Sequence, residues 1–263
     1  MSRRDMIKLS GAGLLGLGLA ARPLAASAAQ RPGFKFVHIC DIHCRDERCH
    51  AWFRKIVDSM SDHDPAFVMI NGDLSENGLP EQISPVLDIF GSLGVPVHCT
   101  VGNHDYNPTT GRAAYEKLVP DSINYHFQHR GWQCVALDST ENRLVVFTNV
   151  QPPTLAWLDA TMPTLDRDKP TVLFTHFPMG DGVLCQPFNA DVLMKRFDGY
   201  NLKASFSGHW HGYAERTFEH AAVTNSRCGS WWRNNMDSSP DKGYFLCETT
   251  PDGNISHKFI VIS

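Results

Sequence analysis

From Phe34 onward, short apolar runs alternate with stretches of helical spacing. Phe34–Cys40 predicts a strand, and Glu47–Met60 repeats its apolar residues at the spacing of an amphipathic helix. Ala66–Asn71 predicts a second strand, Pro85–Leu93 a helix, Val95–Val101 a third strand and Ala113–Leu118 a short helix. Such alternation predicts βαβ units and a largely parallel sheet.

The pattern then changes. Asn124–Gln128 and Gln133–Leu137 predict neighbouring strands joined by a turn at His129-Arg130-Gly131, and Val145–Val150 predicts another strand. A helix over Thr154–Leu165 is opened by Pro152-Pro153, whose fixed φ suits a first helical turn. Thr171–Thr175 reads as a buried strand and Ala190–Phe197 as a short helix. Strands dominate thereafter, at Ala204–Ser207, Ala214–Phe218, Gly243–Glu248 and Ile255–Ile262. No repeat or low-complexity linker follows residue 33, so residues 34–263 are expected to form one α/β domain of two packed sheets with helices outside.

The first residues read differently. Arg3-Arg4, an apolar Gly/Ala/Leu stretch from Leu9 to Ala21 and small residues around Ala26-Ser27-Ala28 make a signal peptide, residues 1–28, followed by a short leader, 29–33. The paired arginines resemble the bacterial twin-arginine export signal, although Met6 stands where that signal usually has Phe. The apolar stretch is shorter than the roughly 20 residues a spanning helix needs, so cleavage is expected rather than a permanent anchor. This places the folded protein in the periplasm or outside the cell, with the export machinery as a partner. A net charge of −4 argues against a broad nucleic-acid-binding face.

The polar motifs fall where strands end. Asp41-Ile42-His43 follows the first strand, Gly72-Asp73 the second and Gly102-Asn103-His104-Asp105 the third. Thr175-His176 and Gly208-His209-Trp210-His211 close two later ones. Ligands of open α/β sheets gather outside the carboxyl ends of strands, so five motifs converge on one rim. Their carboxylates, imidazoles and single amide suit Fe, Mn, Zn, Co or Ni better than soft-metal centres.

In that order, these motifs resemble the calcineurin-like metallophosphoesterase family, with G-N-H-D as in its cyclic-nucleotide phosphodiesterases. The resemblance implies a four-layer α/β/β/α sandwich and two transition-metal ions, Fe, Mn, Zn or a mixed pair. It assigns Asp41, His43 and His211 to one ion, Asn103, His176 and His209 to the other, and Asp73 to both. It further implies attack of a shared hydroxide on a small phosphate ester, His104 as acid or phosphate contact, and Asp105 orienting His104. Phosphodiester hydrolysis is the leading activity. A phosphomonoesterase, such as a nucleotidase or a phospholipid-headgroup phosphatase, is the alternative, and a non-catalytic metal-binding scaffold a further one. The family branch with purple di-iron centres has tyrosine three residues after the bridging Asp; Glu76 stands there in this chain.

Outside the motifs, His38, His98, His126, His129, His220 and His257 are expected to be structural or solvated, as are His50 and His63. Cys40 reads as a core residue, whereas Cys44 and Cys49 either remain thiols or close a short disulfide after export. Trp231, Trp232 and Arg233 form either a rim packed over the core or a substrate wall with Arg233 near a phosphate or acidic group.

Overall fold

The structure, a computed structural model, describes residues 32–262; the signal segment lies outside them. Strands β1 (Lys35–Ile39), β2 (Val68–Asn71), β3 (Val97–Thr100), β4 (Tyr125–His129), β5 (Trp132–Leu137) and β6 (Thr171–Thr175) come first along the chain. They are followed by β7 (Leu202–Ser207), β8 (Ala214–Phe218), β9 (Ala221–Asn225), β10 (Gly243–Thr249) and β11 (Ile255–Val261). One sheet has the order β11-β10-β1-β2-β3, the other β4-β5-β6-β7-β9-β8. Both are mixed: β1-β2-β3 and β5-β6-β7-β9 run parallel, and the outer strands antiparallel.

The strands are apolar on both faces because both faces are covered. In β1, Val37 and Ile39 face helices α1 (Arg48–Ser61) and α2 (Pro80–Gly91), while Phe36 points between the sheets. In β6, Leu173 faces α4 (Pro152–Thr161) and α5 (Ala190–Met194), while Val172 and Phe174 point inward. A short helix α3 (Ala113–Leu118) precedes β4. The result is the helix–sheet–sheet–helix sandwich expected from the sequence, with Phe36, Phe67, Phe174, Phe206 and Phe245 filling the middle layer.

Three expectations change. The helix assigned to Pro85–Leu93 begins at Pro80, which takes the first helical position; Pro85 lies only one turn in, where its missing N–H costs one bond. Strand β9 went unread because its short run, Ala-Ala-Val-Thr-Asn, follows β8 after a tight turn at Glu219-His220. Val145–Val150 is not a strand. Among the described residues no strand pairs with it, and it forms a loop whose Val145, Val146 and Phe147 are exposed.

Candidate metal centre

The parallel strands of both sheets end on the same rim. β1 delivers Asp41 and His43, β2 Asp73, β3 Asn103, β6 His176 and β7 His209 and His211. Buried Asn71 ties the rim together: its Nδ2 donates to the carbonyls of Thr175 and Phe206, at 3.1 and 2.8 Å, and its own carbonyl accepts from His176 Nδ1 at 3.0 Å. The sequence marks Asn71 only as a strand end, because its partners lie more than a hundred positions away on the other sheet.

The local backbone is strained at these positions. Asp41, His43, Asp73, His209 and His211 all have positive φ, between 45° and 66°. Such angles are uncommon outside glycine and concentrate at functional sites, where surrounding structure must enforce them. Close packing is part of that enforcement. A Cβ on Gly208 would lie 2.2 Å from Asp41 Oδ2, and one on Gly102 2.1 Å from the Asp73 amide nitrogen. The glycines that precede the ligands are therefore needed for approach.

Among the described residues, two buried groups of metal-binding side chains share one member. Asp41, His43, Asp73 and His211 form one; Asp73, His176 and His209 form the other, and Asn103 Oδ1 lies 3.1 Å from His176 Nε2. His176 gives its Nδ1–H to the Asn71 carbonyl, and its Nε2 is aimed at two acceptors, Asn103 Oδ1 and Asp73 Oδ1, the latter at 3.4 Å, so a proton or a cation must stand there. Likewise, His43 Nε2 and His211 Nε2 face one another at 3.1 Å. Converging lone pairs repel unless a cation or a proton lies among them.

The charges agree with this reading. Burial disfavours the charged forms of Asp41 and Asp73, yet His211 beside the first and His176 beside the second hold both carboxyls below their ordinary range. Burial works against charge on His176 too, but Asp73 and Asp41 outweigh it and lift the imidazole to about 9. His211 is raised in the same way by Asp41. Burial dominates at His43 and His209 and lowers each to about 4, which keeps them neutral as ligands must be. Two buried carboxylates that recruit protons onto neighbouring imidazoles form a pocket that demands positive charge, and the N/O donors suit transition metals.

Around this cluster the structure corrects one expectation. Asp105 does not reach the His104 ring. Its carboxylate accepts from the Ser75 amide and hydroxyl and from the Gly102 amide, at 2.9 to 3.0 Å, and so ties two motif loops together. The His104 ring is held instead by the Glu76 carbonyl, 2.9 Å from Nδ1, with the Glu76 carboxylate at 3.7 Å. Glu76 also binds His43 Nδ1 at 3.0 Å and pairs with Arg233. Sequence reading noted Glu76 only for replacing a tyrosine; its place three residues after Asp73 was the available signal.

Of the aromatic loop, only Arg233 lines the cleft above the centre. Trp232 packs beside His43, donates Nε1–H to its carbonyl at 3.0 Å and lies beneath Arg45 and Arg233. Trp231 lines a separate surface depression. Both tryptophans lie off the cleft because Trp52 and Cys40 pin Gly229 by hydrogen bonds of 2.8 and 2.9 Å, which turns the loop behind the ligands. Cys44 and Cys49 are free, buried thiols, and burial keeps Cys40 in the core.

Residues 34–213, more than half of the chain, match the calcineurin-like phosphoesterase family. The chain is 28% identical over 120 residues to a probable cyclic nucleotide phosphodiesterase of Synechococcus sp., a match covering 46% of this chain and 45% of that one. It is 26% identical over 179 residues to a glycerophosphodiester phosphodiesterase of Enterobacter lignolyticus, covering 60% of each. The matched segments thus span less than two thirds of these relatives. The fold resembles that of a dimetal phosphatase from Danio rerio, with a TM-score of 0.63 and 15% identity over 88% of this chain and 100% of that one. It also resembles yellow lupin purple acid phosphatase PPD1, with a TM-score of 0.63 and 14% identity over 88% of this chain and 54% of that one. Motif order, sandwich and a His/Asp cluster able to hold metal ions agree: the chain belongs to the calcineurin-like phosphoesterase family.

Proposed function

We propose that this protein hydrolyses phosphodiesters with two metal ions seated on either side of Asp73. The observation that carries the reading is the sharing of Asp73 between two buried ligand groups. Asp41, His43 and His211 would hold one ion, and Asn103, His176 and His209 the other. The bound ions would supply a nucleophile at neutral pH and neutralise charge on the phosphoryl oxygens.

The chain's own groups complete the site. Asp41 accepts the His209 amide at 2.9 and 3.0 Å, and Asp73 the His104 amide at 2.8 Å, so each carboxylate is locked in place. The Val145 carbonyl, 2.7 Å from His209 Nε2, orients that ring so that Nδ1 serves the centre. His104 lines the cleft and is bonded through Nδ1, which leaves Nε2 to contact a phosphoryl oxygen or to pass a proton to the leaving oxygen. Glu76 fixes His104 and His43 together and holds Arg233 at the cleft edge.

The phosphodiesterase names of the curated relatives favour a diester over a monoester. The test is turnover of bis-(4-nitrophenyl) phosphate against 4-nitrophenyl phosphate by protein with measured metal content. The reading expects kcat/KM at least tenfold higher for the diester, and a preference for the monoester contradicts it. Export by the twin-arginine route is proposed on Arg3-Arg4 and the segment after them. Replacing both arginines with lysine is expected to hold the protein in the cytoplasm; undiminished export contradicts that route.

A further inference from the structure

The cleft above the centre has a volume of about 820 Å³, within the range of small-molecule sites. Its floor is polar, with Asp73, His104, His209 and His211, but its walls are apolar. Three segments build them: the loop ending at Phe147, the loop from Val183 to Phe188, and Met236. Phe147, Leu184, Phe188 and Met236 are 75, 65, 69 and 66% exposed. One exposed apolar side chain needs no explanation, but a contiguous group around a reactive floor marks a binding surface.

These walls are built. The Phe188 amide donates to the Thr148 carbonyl at 2.9 Å, and the Val150 amide to Asn189 Oδ1 at 2.8 Å, so the two loops are tied to each other. The Phe147 and Phe188 rings stack with centroids 5.9 Å apart. Phe147 and Cys185 hold φ of 59° and 64°, an unfavoured region for either residue, one in each loop. The Met236 amide donates to the carbonyl of His211 at 2.9 Å, which joins the third wall to the floor. Polar recognition is sparse above the floor. Arg233 is engaged by Glu76, and Gln186 Nε2 donates to the Met179 carbonyl at 3.2 Å. Trp210 and the Gln186 Oε1 acceptor also line the cleft, but the exposed wall area is mostly aliphatic and aromatic carbon, which favours an apolar group over a base and sugar.

We infer that the substrate is a phosphodiester in which one ester group is an aliphatic chain, bound with phosphate on the floor and the chain between the rim loops. This rests on the phosphodiesterase reading above. Water adds across the scissile P–O bond: its oxygen joins phosphorus, and a proton passes to the departing oxygen. The chain stays on phosphorus as a spectator and contributes only binding.

The test uses metal-loaded protein and 4-nitrophenyl alkyl phosphates from ethyl to hexyl, below their aggregation concentrations, so that leaving group and scissile bond are constant. Each fully buried methylene is worth roughly fourfold, so four half-covered methylenes give about 16-fold in kcat/KM, carried mainly by KM. Phe147→Ser/Phe188→Ser should flatten this dependence, and the exposed Leu184→Ser variant should flatten it in part. Hexylphosphonate, which cannot be hydrolysed at its P–C bond, should bind at least tenfold tighter than ethylphosphonate by calorimetry, with the difference shrinking in the double variant. Hydrolysis of every ester with no dependence on chain length overturns this inference and leaves the phosphodiesterase reading standing. Hydrolysis of none overturns both. A steep dependence retained in the double variant removes the chain from this cleft, and faster turnover of thymidine 5′-(4-nitrophenyl phosphate) than of the hexyl ester replaces the aliphatic group with a nucleoside.

Discussion

The floor and walls of the cleft are adjacent in space but opposite in kind: the floor consists of polar side chains that are nearly all buried, the walls of apolar side chains that are mostly exposed. Each inverts the usual preference, and each has a physical reason. The floor holds carboxylates and imidazoles away from water because they balance one another's charge and, when ions are bound, coordinate them. The walls leave Phe147 and Phe188 in water because the surface they would bury is not part of the chain. Stability and binding therefore divide between the two regions. Floor residues are locked by hydrogen bonds to strand ends, and the wall residues Phe147 and Phe188 pack on each other while their loops are tied by hydrogen bonds.

Breaking the floor should have the largest effects. Asp73→Asn removes the carboxylate shared by both ligand groups, and is expected to lower kcat by about a thousandfold or more while metal analysis shows loss of bound ions. His104→Ala should lower kcat by roughly 10²- to 10⁴-fold with metal content retained, because His104 is outside the two buried groups that share Asp73 and its own group, with His43 and Glu76, is only partly buried. Full metal loss in His104→Ala would merge the two roles and break the account of the floor. Glu76→Gln leaves the shape of the site but weakens its hold on His43 and Arg233; metal affinity should fall by about 10- to 100-fold in a competitive chelator titration.

The smallest effects separate support from wall. Trp232→Ala should cost about 2 kcal/mol in denaturant unfolding, since the ring is half-buried and bonded to the His43 carbonyl. It should raise KM equally for a diaryl and a monoaryl phosphate. Phe147→Ser should change stability by no more than about 0.5 kcal/mol, because its side chain is exposed. A reversal of these two stability effects would erase the distinction between a ring that supports the centre and a ring that faces substrate.

The same contrast explains what could be read in the chain. The two packed sheets followed from strand–helix alternation, and the polar cluster on the rim from motifs placed directly after apolar runs, because buried strands and strand-end motifs each leave a local signature; the division of that cluster between two ions came only from the family resemblance. Val145–Val150 misled for the opposite reason. Its apolar residues look like a buried strand, and only the lack of a partner strand among the described residues turns them outward. Trp231 and Trp232 left a packed rim and a substrate wall open, because the bonds that turn their loop behind His43 join residues nearly two hundred positions apart. Asp105 was tied to its sequence neighbour His104, but its partners are Ser75 and Gly102. Asn71 holds the His176 ring through a contact between sheets that no spacing in the sequence encodes, whereas Glu76, which holds His43, was marked only by its place three residues after Asp73.

The central claim is that Asp73 stands between two metal ions, and anomalous diffraction from metal-loaded crystals tests it most directly. The account predicts two peaks flanking Asp73, one among Asp41, His43 and His211 and the other among Asn103, His176 and His209. A single peak, or two peaks that do not share Asp73, would contradict it.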